Sequence, residues 1–551
     1  SGLTMNMLTV VVPVLIIAVG TAYCLYVYCA FRECISTCDD VKSALLSAYS
    51  RTAYPTVIAV GTTISGIISL MATPIGAIRQ FSGLACLGIL ALMVAVLTFL
   101  PCLMVIVWPT LRKRQAKVSD CFFSSSIVDK LVNLIVGQRR NIFLLLIIVS
   151  LFLLVGIFRI RVETNPLSYF KTSTPLHQQF HDIYDHLSGS FPLHLKLKSD
   201  KEDFFLSTSA IDILSDHQRF LETLPGIDKT LSFADYLKLV NYVTNRFDPL
   251  FYKLPEADYE IRMLTNQFKT ILGRDILKRY IADDFATANI TMLTRLHSAN
   301  GFLDAEKMIQ KFCKRHEDKK VTCHTTGFGM VMSLGSQHLV NGQAWSILIT
   351  LFIIFLFIHL MFLSIKIGVI VMVANLFPIM VRFGVMGWLG IDLSMGTCLI
   401  ASIVLGLAVD DTIHYLVRYK KAYAQEMDSI AAMRRTLMHI GLPIVATTIA
   451  ISAGFSILMI SSFKPTAVFG LLMMLAMASA LSGGLIILPA LLSKVSPITL
   501  EEIFELRIGG TKLQQKVPLL KGMTRYQVHR ILKTGVISSI DPGVYLFEQG
   551  E

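Results

Sequence analysis

The chain has 551 residues, of which 54% are hydrophobic and 16% are charged, and its mean hydropathy is +0.61. So apolar a composition excludes a large soluble enzyme and predicts a polytopic membrane protein. The net charge of +12 does not indicate nucleic-acid binding, because much of it falls in loops where membrane topology places basic residues.

Apolar segments long enough to cross a bilayer follow one another along the chain. The predicted spans are residues 3–31, 52–74, 79–108, 141–159, 343–364, 367–389, 394–417, 442–462 and 466–492. Lysines and arginines cluster at 112–140 and 418–435, and basic loops are typically cytoplasmic. Alternation of sides then predicts an extracytoplasmic segment at 161–341 and a cytoplasmic C-terminus.

The first residues, Ser1–Thr4, run directly into an apolar span, without an initiator methionine, a charged leader or a cleavage site. An odd number of spans would leave this end outside the cytoplasm. We therefore expect the chain to be an N-terminally truncated fragment.

An internal repeat relates the first and last membrane blocks. A shift of 388 residues, without a gap, matches Pro55 with Pro443, Gly66 with Gly454, Leu70 with Leu458, Phe81 with Phe469 and Pro101 with Pro489. The transmembrane region is therefore predicted to be an internal duplication. Its halves should be related by an axis along the membrane normal, with transport chemistry at their interface.

The span at 394–417 carries Asp410, Asp411 and His414 in an otherwise apolar stretch. One charged carboxylate at the bilayer centre costs on the order of 2.5–3.5 kcal/mol, so the pair needs a wet cavity, a proton or a counter-ion. Gly406, Asp410 and His414 share one helical stripe, and Asp411 lies about 100° around the helix. Ionisable groups at this depth predict a functional site facing other helices.

A second interpretation of the pair stays open. The aspartates would lie near the membrane interface and pair with Arg418 or Lys421, which follow in the basic flank.

These motifs resemble a known family. The run Gly406–Tyr415, the pairs Gly454-Phe455 and Phe469-Gly470, and the terminal Leu488–Leu492 are similar to resistance-nodulation-division transporters, closest to the MmpL-like branch of hydrophobe and amphiphile exporters. The resemblance covers about residues 1–495 and includes Asn165–Phe170, which is similar to the entry into the family's second extracytoplasmic domain.

The resemblance implies a polytopic α-helical membrane protein with a duplicated bundle and an α+β extracytoplasmic porter-type domain. In chain order we expect the end of the first transmembrane repeat (1–110), a cytoplasmic basic linker (111–140), the first helix of the second repeat (141–160), the extracytoplasmic domain (161–341), the remaining helices (342–495) and a cytoplasmic tail (496–551). Within the domain, periodicity predicts helices at 206–222, 256–281 and 301–316 and a strand near 194–198.

The family carries proton coupling on acidic residues of its fourth and tenth helices, and the tenth corresponds to 394–417. The resemblance therefore implies a proton relay in which Asp410 accepts the proton, Asp411 is its partner and His414 passes protons to the cytoplasm or acts as a counter-charge. A hydrogen-bonded structural histidine is the alternative for His414. The carboxylates should titrate as a coupled pair. Four residues of the matched motifs are assigned to packing: Gly406, Gly454, Pro443 and Pro489.

The first repeat lacks these acids. The 388-residue shift places Ala22 opposite Asp410, Tyr23 opposite Asp411 and Tyr26 opposite His414. Any relay would be one-sided, with the two tyrosines either supplying hydroxyls across the interface or serving only as core.

The polar tail at 496–551 resembles the opening of a cyclic-nucleotide-binding domain, ending in the Pro-Gly turn of Asp541–Glu551. The chain stops before a phosphate-binding segment, so cyclic-nucleotide binding stays open beside a generic amphipathic tail.

The leading functional hypothesis is a proton-driven exporter of lipids or other amphiphiles in the bacterial inner membrane. The alternative is a non-transporting lipid receptor or scaffold of the same architecture. An intramembrane aspartyl protease is set aside, because adjacent residues on one helix diverge by about 100° and do not form a facing dyad.

Neither a cofactor nor a metal is expected. His177, His181 and His186 lack the acids or cysteines that would complete a metal site. Cys313 and Cys323 form either a disulfide or two thiols. The substrate and a homo-oligomeric state are left open.

Overall fold

The computed structural model describes residues 6–35, 40–115, 125–162, 169–170, 173–186, 191–271, 273–296, 298–315, 321–362, 364–426, 428–493 and 523. Within these ranges, nine helices are long and apolar enough to cross a membrane. They are α1 (Val12–Ile35), α2 (Val41–Ser69), α3 (Gly76–Gln115), α5 (Arg139–Ile157), α12 (Phe328–Phe362), α13 (Ile365–Leu389), α14 (Met395–Glu426), α15 (Ser429–Ser456) and α16 (Lys464–Ser482). The predicted polytopic helical fold is confirmed.

Several of these helices extend beyond the predicted apolar spans. Helix α12 begins at Phe328 and α15 at Ser429, while α14 continues to Glu426. Hydropathy detects only the apolar part of each helix, and the polar ends are held by other contacts. The Ser333 hydroxyl donates to the Ala299 carbonyl oxygen at 2.9 Å, and the Asp428 carboxylate caps α15 by accepting from the Ala431 amide at 2.9 Å.

The predicted basic linker at 111–140 also contains regular structure. Helix α3 runs into it as far as Gln115, and a short helix, α4 (Ser125–Gly137), precedes α5. Val128, Val132 and Ile135 are buried on one face of α4, at the three-to-four-residue spacing of an amphipathic helix. Sequence analysis overlooked α4 because charge, rather than periodicity, dominated the interpretation of this loop.

The bundle is internally duplicated, as predicted. Helices α2 and α15 begin 388 residues apart, and so do α3 and α16. Both α2 and α15 contain an internal proline, Pro55 and Pro443, and both end in a 3₁₀ turn, at Leu70–Ala72 and Ile457–Ile460. Helix α14 packs against α2, and α1 packs against α15 in the same way.

An α+β domain separates α5 from α12. Its antiparallel sheet has the order β2-β3-β1-β4, with β1 (Leu193–Lys198), β2 (Ile227–Leu231), β3 (Thr287–Thr294) and β4 (Thr322–Gly327). Its helices are α6 (Pro175–His186), α7 (Thr208–Glu222), α8 (Phe233–Thr244), α9 (Asp258–Ile271), α10 (Arg274–Leu277) and α11 (Ala299–Arg315). The edge strand β4 passes directly into α12.

The helices predicted in this domain correspond to α7, α9 with α10, and α11. The predicted helix at 256–281 was wrong in one respect, because α9 ends at Ile271 and α10 begins at Arg274. Gly273, the N-cap of α10, lies between them with φ of +85° and ψ of 156°, an extended positive-φ conformation that favours glycine and interrupts the helix. The predicted strand is β1, whose Leu193, Leu195 and Leu197 side chains are buried in a core separate from the membrane bundle.

Helix α14 occupies the centre of the bundle. Residues 396–416 are all buried, whereas α5 presents most of its side chains to the surroundings. A polar group in the middle of α14 is therefore surrounded by protein. The helices that pack directly against α14 are α2, α12, α13, α15 and α16, and α1 reaches it through hydrogen bonds of Tyr23 and Tyr26.

Candidate functional site

Two adjacent carboxylates lie in the middle of α14. Asp410 is 5% exposed and Asp411 is 6% exposed. Their side chains diverge around the helix, so Asp410 faces α1 and α2 while Asp411 faces α1 and α15. Both carboxylates therefore lie at the interface between the two repeats.

Asp410 is held by three hydroxyl groups from the first repeat. The Tyr23 hydroxyl donates to Oδ2 at 3.1 Å. The Thr63 hydroxyl lies 3.0 Å from each carboxylate oxygen, and the Thr62 hydroxyl lies 3.4 Å from Oδ1. Sequence analysis missed both threonines, although two adjacent hydroxyl residues within an apolar span were a visible signal.

Asp411 has a shorter contact with the first repeat. The Tyr26 hydroxyl donates to its Oδ1 at 2.6 Å. Thr447 of α15 lies beside this carboxylate, and its hydroxyl donates to the Ile444 carbonyl oxygen at 2.9 Å. The open question about the tyrosines is thereby answered in geometric terms. Tyr23 and Tyr26 are buried core residues, and their hydroxyls also reach the carboxylates across the interface.

His414 follows one turn after Asp410. Its ring stacks on the Tyr26 ring, with centroids 3.9 Å apart and planes 10° from parallel. Its Nε2 is buried and has no hydrogen-bond partner among the described residues. The imidazole therefore lies next to the hydroxyl that serves Asp411.

A cavity of about 360 Å³ leads from this imidazole to the basic end of α14. Tyr26 and His414 form part of its wall. At the other end, Glu33 is 2.9 Å from Arg418, 3.4 Å from Arg51 and 3.5 Å from His439. The site is thus connected to a polar, solvent-facing cluster on one side of the bundle.

Neither carboxylate forms an ion pair with any residue that the structure describes. Arg418, one of the two partners expected if the aspartates lay near the membrane interface, is paired with Glu33. Hydroxyl groups are thus the partners that the surrounding helices offer. Hydroxyl contacts alone compensate a buried charge only in part, so a proton on the pair lowers the free energy of burial.

A second polar chain lies on the same stripe of α14, two turns before Asp410. The Ser346 hydroxyl is 2.7 Å from the Ser402 hydroxyl and 2.7 Å from the Ser69 hydroxyl. The Thr350 hydroxyl donates to Ser69 at 2.7 Å. Helices α2, α12 and α14 are thus joined by hydroxyl contacts on the side of Asp410 away from the cavity.

Sequence analysis also missed Arg382 in α13. It is fully buried, and its guanidinium donates to the Thr397 carbonyl near the start of α14. Its Nε and Nη1 have no partner among the described residues. An ionisable residue inside a predicted span was the available signal, because such residues are functional candidates by default.

The four predicted packing residues have different surroundings. A Cβ placed on Gly406 would lie 2.9 Å from the Thr63 Cα, so this glycine permits close approach of α14 and α2. Gly454 faces the Ala18 Cβ, 3.5 Å from where its own Cβ would be. Pro443 lies inside α15 and lines the cavity, and Pro489 is buried in α17 (Leu488–Leu492).

Two predicted features fall largely outside the described residues. The cyclic-nucleotide-binding-like segment at 496–551 is described only at Met523. Of the motif Asn165–Phe170, only Tyr169 and Phe170 are described, and both rings pack edge-on against Phe463.

Comparison with known protein structures shows the fold. The hedgehog release protein Disp from the water bear Hypsibius dujardini aligns with a TM-score of 0.57 and 16% identity, covering 89% of this chain and 63% of that one. The translocon-associated membrane protein SecDF from Thermus thermophilus aligns with a TM-score of 0.52 and 12% identity, covering 89% of this chain and 55% of that one. The chain therefore spans about 55–63% of the length of these two proteins.

Comparison of sequences shows the family. A membrane protein of Methanocaldococcus jannaschii is 21% identical over 369 residues, which cover 65% of this chain and 91% of that protein. The sequence model of the MMPL family matches residues 1–128 and 262–503, which include both membrane blocks and the carboxylate pair. The chain therefore belongs to the MMPL family and is a multi-pass, transporter-like membrane protein.

Proposed function

We propose that the protein is a proton-driven secondary transporter that exports lipids or other amphiphilic molecules, with coupling through Asp410 and Asp411. One observation carries this proposal. Two adjacent buried carboxylates lie at the interface of the repeats, and each accepts a hydrogen bond from a tyrosine of the opposite repeat.

The coupling follows from the free energy of burying charge. With no cation paired to either carboxylate among the described residues, the dry conformation favours a protonated pair. A conformation that admits water lowers the free energy of the ionised form. Proton uptake and release then shift the population between the two conformations, as coupling between a proton gradient and transport requires.

The proposed proton route begins in the cavity. Protons would pass from the Glu33 cluster to His414 and Tyr26 and then to Asp411, whose Oδ1 is 2.6 Å from the Tyr26 hydroxyl. In this proposal Asp411, rather than Asp410 as expected from the sequence, receives the proton first. Asp410 is the neighbouring carboxylate on the same helix. Its protonation is linked to that of Asp411 because two adjacent like charges do not ionise independently.

The tyrosines explain how a one-sided relay would work. The first repeat has Ala22 where the second has Asp410, so it contributes no carboxylate at that position. Tyr23 and Tyr26 instead supply hydroxyls that stabilise the ionised carboxylates while the pair is deprotonated. Movement of one repeat against the other would break these contacts, and so link the charge state to the conformation.

Orientation and substrate complete the proposal. The basic residues around Arg418 support a cytoplasmic position for the cavity, because basic loops are typically cytoplasmic. The proposal is a bacterial inner membrane with residues 161–341 outside and the C-terminus inside. A hydrophobic substrate is proposed from the family, and it would pass through the α+β domain.

The test is transport by the purified chain in proteoliposomes that carry a fluorescent phospholipid and an imposed pH gradient. Asp410→Asn and Asp411→Asn keep side-chain size and remove the charge, so we expect folding to survive and gradient-dependent lipid movement to be lost. Asp129→Asn is the matched control, because Asp129 is a partly exposed carboxylate that pairs with Arg434 and takes no part in the hydrogen bonds of Asp410 and Asp411.

A second function is favoured by the missing acid at Ala22. A non-transporting lipid receptor or scaffold would need no coupling residues in either repeat. Lipid movement equal in wild type and in both asparagine variants, or absent from the wild type, would favour this receptor over the transporter.

A further inference from the structure

Three potential metal ligands meet in the α+β domain, outside the proposed transport site. They are His217 on α7, Cys313 on α11 and Cys323 on β4. The nearest ring nitrogen of His217 and the two sulfur atoms all lie within 4.8 Å of one another. The two cysteines are not joined by a disulfide. Ligands from three separate elements thus converge on one point.

The imidazole is oriented as a ligand. His217 Nδ1 is 2.8 Å from the Ile213 carbonyl oxygen, one turn earlier on α7. A carbonyl oxygen only accepts, so Nδ1 carries a proton, and in the neutral imidazole Nε2 keeps its lone pair. Nε2 points toward Cys323, 3.8 Å from its Sγ. Backbone hydrogen bonds of this kind fix the tautomer and orientation of metal-binding histidines.

The surroundings favour a soft cation. Cys313 is 4% exposed and His217 is 5% exposed, while Cys323 is partly accessible. The Phe312 ring packs edge-on against the His217 ring at 5.2 Å. Two thiolates and one imidazole are ligands that select zinc over magnesium or calcium, which prefer oxygen.

The distances fit a zinc ion with small adjustments. Bonds of about 2.3 Å to sulfur and about 2.0 Å to nitrogen put tetrahedral ligand atoms roughly 3.5–3.8 Å apart. The Cys323 to His217 separation already matches this value at 3.8 Å. The remaining separations, each at most 4.8 Å, need to shorten by no more than about 1.3 Å, which rotamer changes of the cysteines can supply.

We propose that His217, Cys313 and Cys323 bind one Zn²⁺ ion, with water in the fourth position. Binding converts the two thiols to thiolates, so two protons are released for each ion bound. The ion would tie α7 and α11 to β4, the edge strand that passes directly into the membrane helix α12. The inference does not depend on the proposed transport function.

The experiment measures metal content and affinity in the purified full chain, reduced and then supplied with Zn²⁺ alone. We expect about one ion per chain, with binding lost in Cys313→Ser and in His217→Ala. Cys102→Ser is the control, because Cys102 is an exposed thiol in α3 and should leave the zinc content unchanged. Replacing zinc by Co²⁺ should give sulfur-to-cobalt absorption that disappears in the same two variants.

Folding is controlled separately. Cys323→His exchanges one zinc ligand for another and should retain binding, whereas Cys323→Ser should lose it. Equal zinc content in wild type, Cys313→Ser and His217→Ala would overturn the proposal. It would also fail if the reduced chain takes up no zinc and peptide mapping of unreduced protein finds a Cys313–Cys323 disulfide.

Discussion

Helices α1 and α14 hold equivalent positions in the duplicated bundle, but they carry different chemistry. Helix α14 packs against α2 of the first repeat, and α1 packs against α15 of the second repeat. Position for position, Ala22 replaces Asp410 and Tyr23 replaces Asp411. The Tyr23 hydroxyl donates to Asp410 across the interface between the repeats. The tyrosine that takes the place of Asp411 in the first repeat therefore contacts the other acid of the second repeat. Duplication has retained the packing, while at this site the two carboxylates lie on α14 and the two tyrosine hydroxyls lie on α1.

The same contrast holds for a pair of glycines. Gly66 on α2 and Gly454 on α15 are related by the repeat. A Cβ on Gly66 would lie 2.7 Å from the Ser402 carbonyl oxygen, whereas a Cβ on Gly454 would lie 3.5 Å from the Ala18 Cβ. The facing positions are also repeat-related, with Gly406 opposite Gly66 and Ala18 opposite Gly454. Of these two repeat-related contacts, the α2–α14 contact requires a glycine and the α1–α15 contact does not.

Alanine substitution at these two glycines should give the largest difference in stability between the two repeats. Gly66→Ala forces a backbone contact apart beside the carboxylate pair, and we expect it to reduce the free energy of unfolding by about 3 kcal/mol. Gly454→Ala introduces only ordinary contact and should be neutral or stabilising by up to about 1 kcal/mol, from helix propensity. Thermal unfolding in detergent measures both variants. Equal losses of stability in the two variants would contradict this difference, because they would mean that α2 and α14 approach no more closely than α1 and α15.

The next variant tests the hydroxyl that crosses between repeats. Tyr26→Phe keeps the ring stacked on His414 and removes only the 2.6 Å hydrogen bond to Asp411. A hydrogen bond to a charged group contributes about 1.5–3 kcal/mol, so gradient-driven transport should fall at least about tenfold. Tyr23→Phe is the comparison. It should have a smaller effect, because Asp410 keeps its bonds to Thr63.

If Tyr26→Phe had a normal unfolding temperature and an unchanged rate of gradient-driven transport, Tyr26 would contribute to packing only. A larger effect of Tyr23→Phe than of Tyr26→Phe would reverse the proposed order of the route, with Asp410 nearer the proton source than Asp411.

Sequence alone predicted the parts of this architecture that repeat or that hydropathy detects. The matched prolines and glycines predicted the duplication, and Asp410 with Asp411 stood out because charge is rare in an apolar span. Sequence offered hydroxyls of Tyr23 and Tyr26 across the interface as one of two alternatives. It did not predict that Tyr26, 385 residues away, donates to Asp411, since such contacts depend on how the helices pack. The same applies to His217 and Cys323, which lie 106 residues apart and meet only in the folded domain.

Sequence analysis also predicted several helices to be shorter than they are. The amphipathic ends of α12 and α15 are stabilised by the domain and by caps, and a window average of hydropathy does not register such contacts. Helix α4 was likewise hidden by the basic residues around it.

The smallest expected effect on transport comes from replacing one of two buried threonines, Thr63 or Thr448. Thr63 shares its hydroxyl between both oxygens of Asp410 at 3.0 Å, whereas the buried Thr448 hydroxyl has no partner among the described residues. The repeat counterpart of Thr448 is Val60, so this part of the bundle already accepts valine in the equivalent place.

Thr63→Val should therefore slow gradient-driven transport by about fivefold, the effect of losing about 1 kcal/mol of hydrogen bonding to the carboxylate. Thr448→Val should leave transport unchanged and hold or raise the unfolding temperature, because removing an unsatisfied buried hydroxyl is neutral or stabilising. Initial transport rates and melting curves on the two variants provide the measurement. If both variants lost transport equally, the hydroxyls would act through water that links them to the pair rather than by direct contact. The carboxylates would then depend on a wetter interface than the contacts of α2 and α14 indicate.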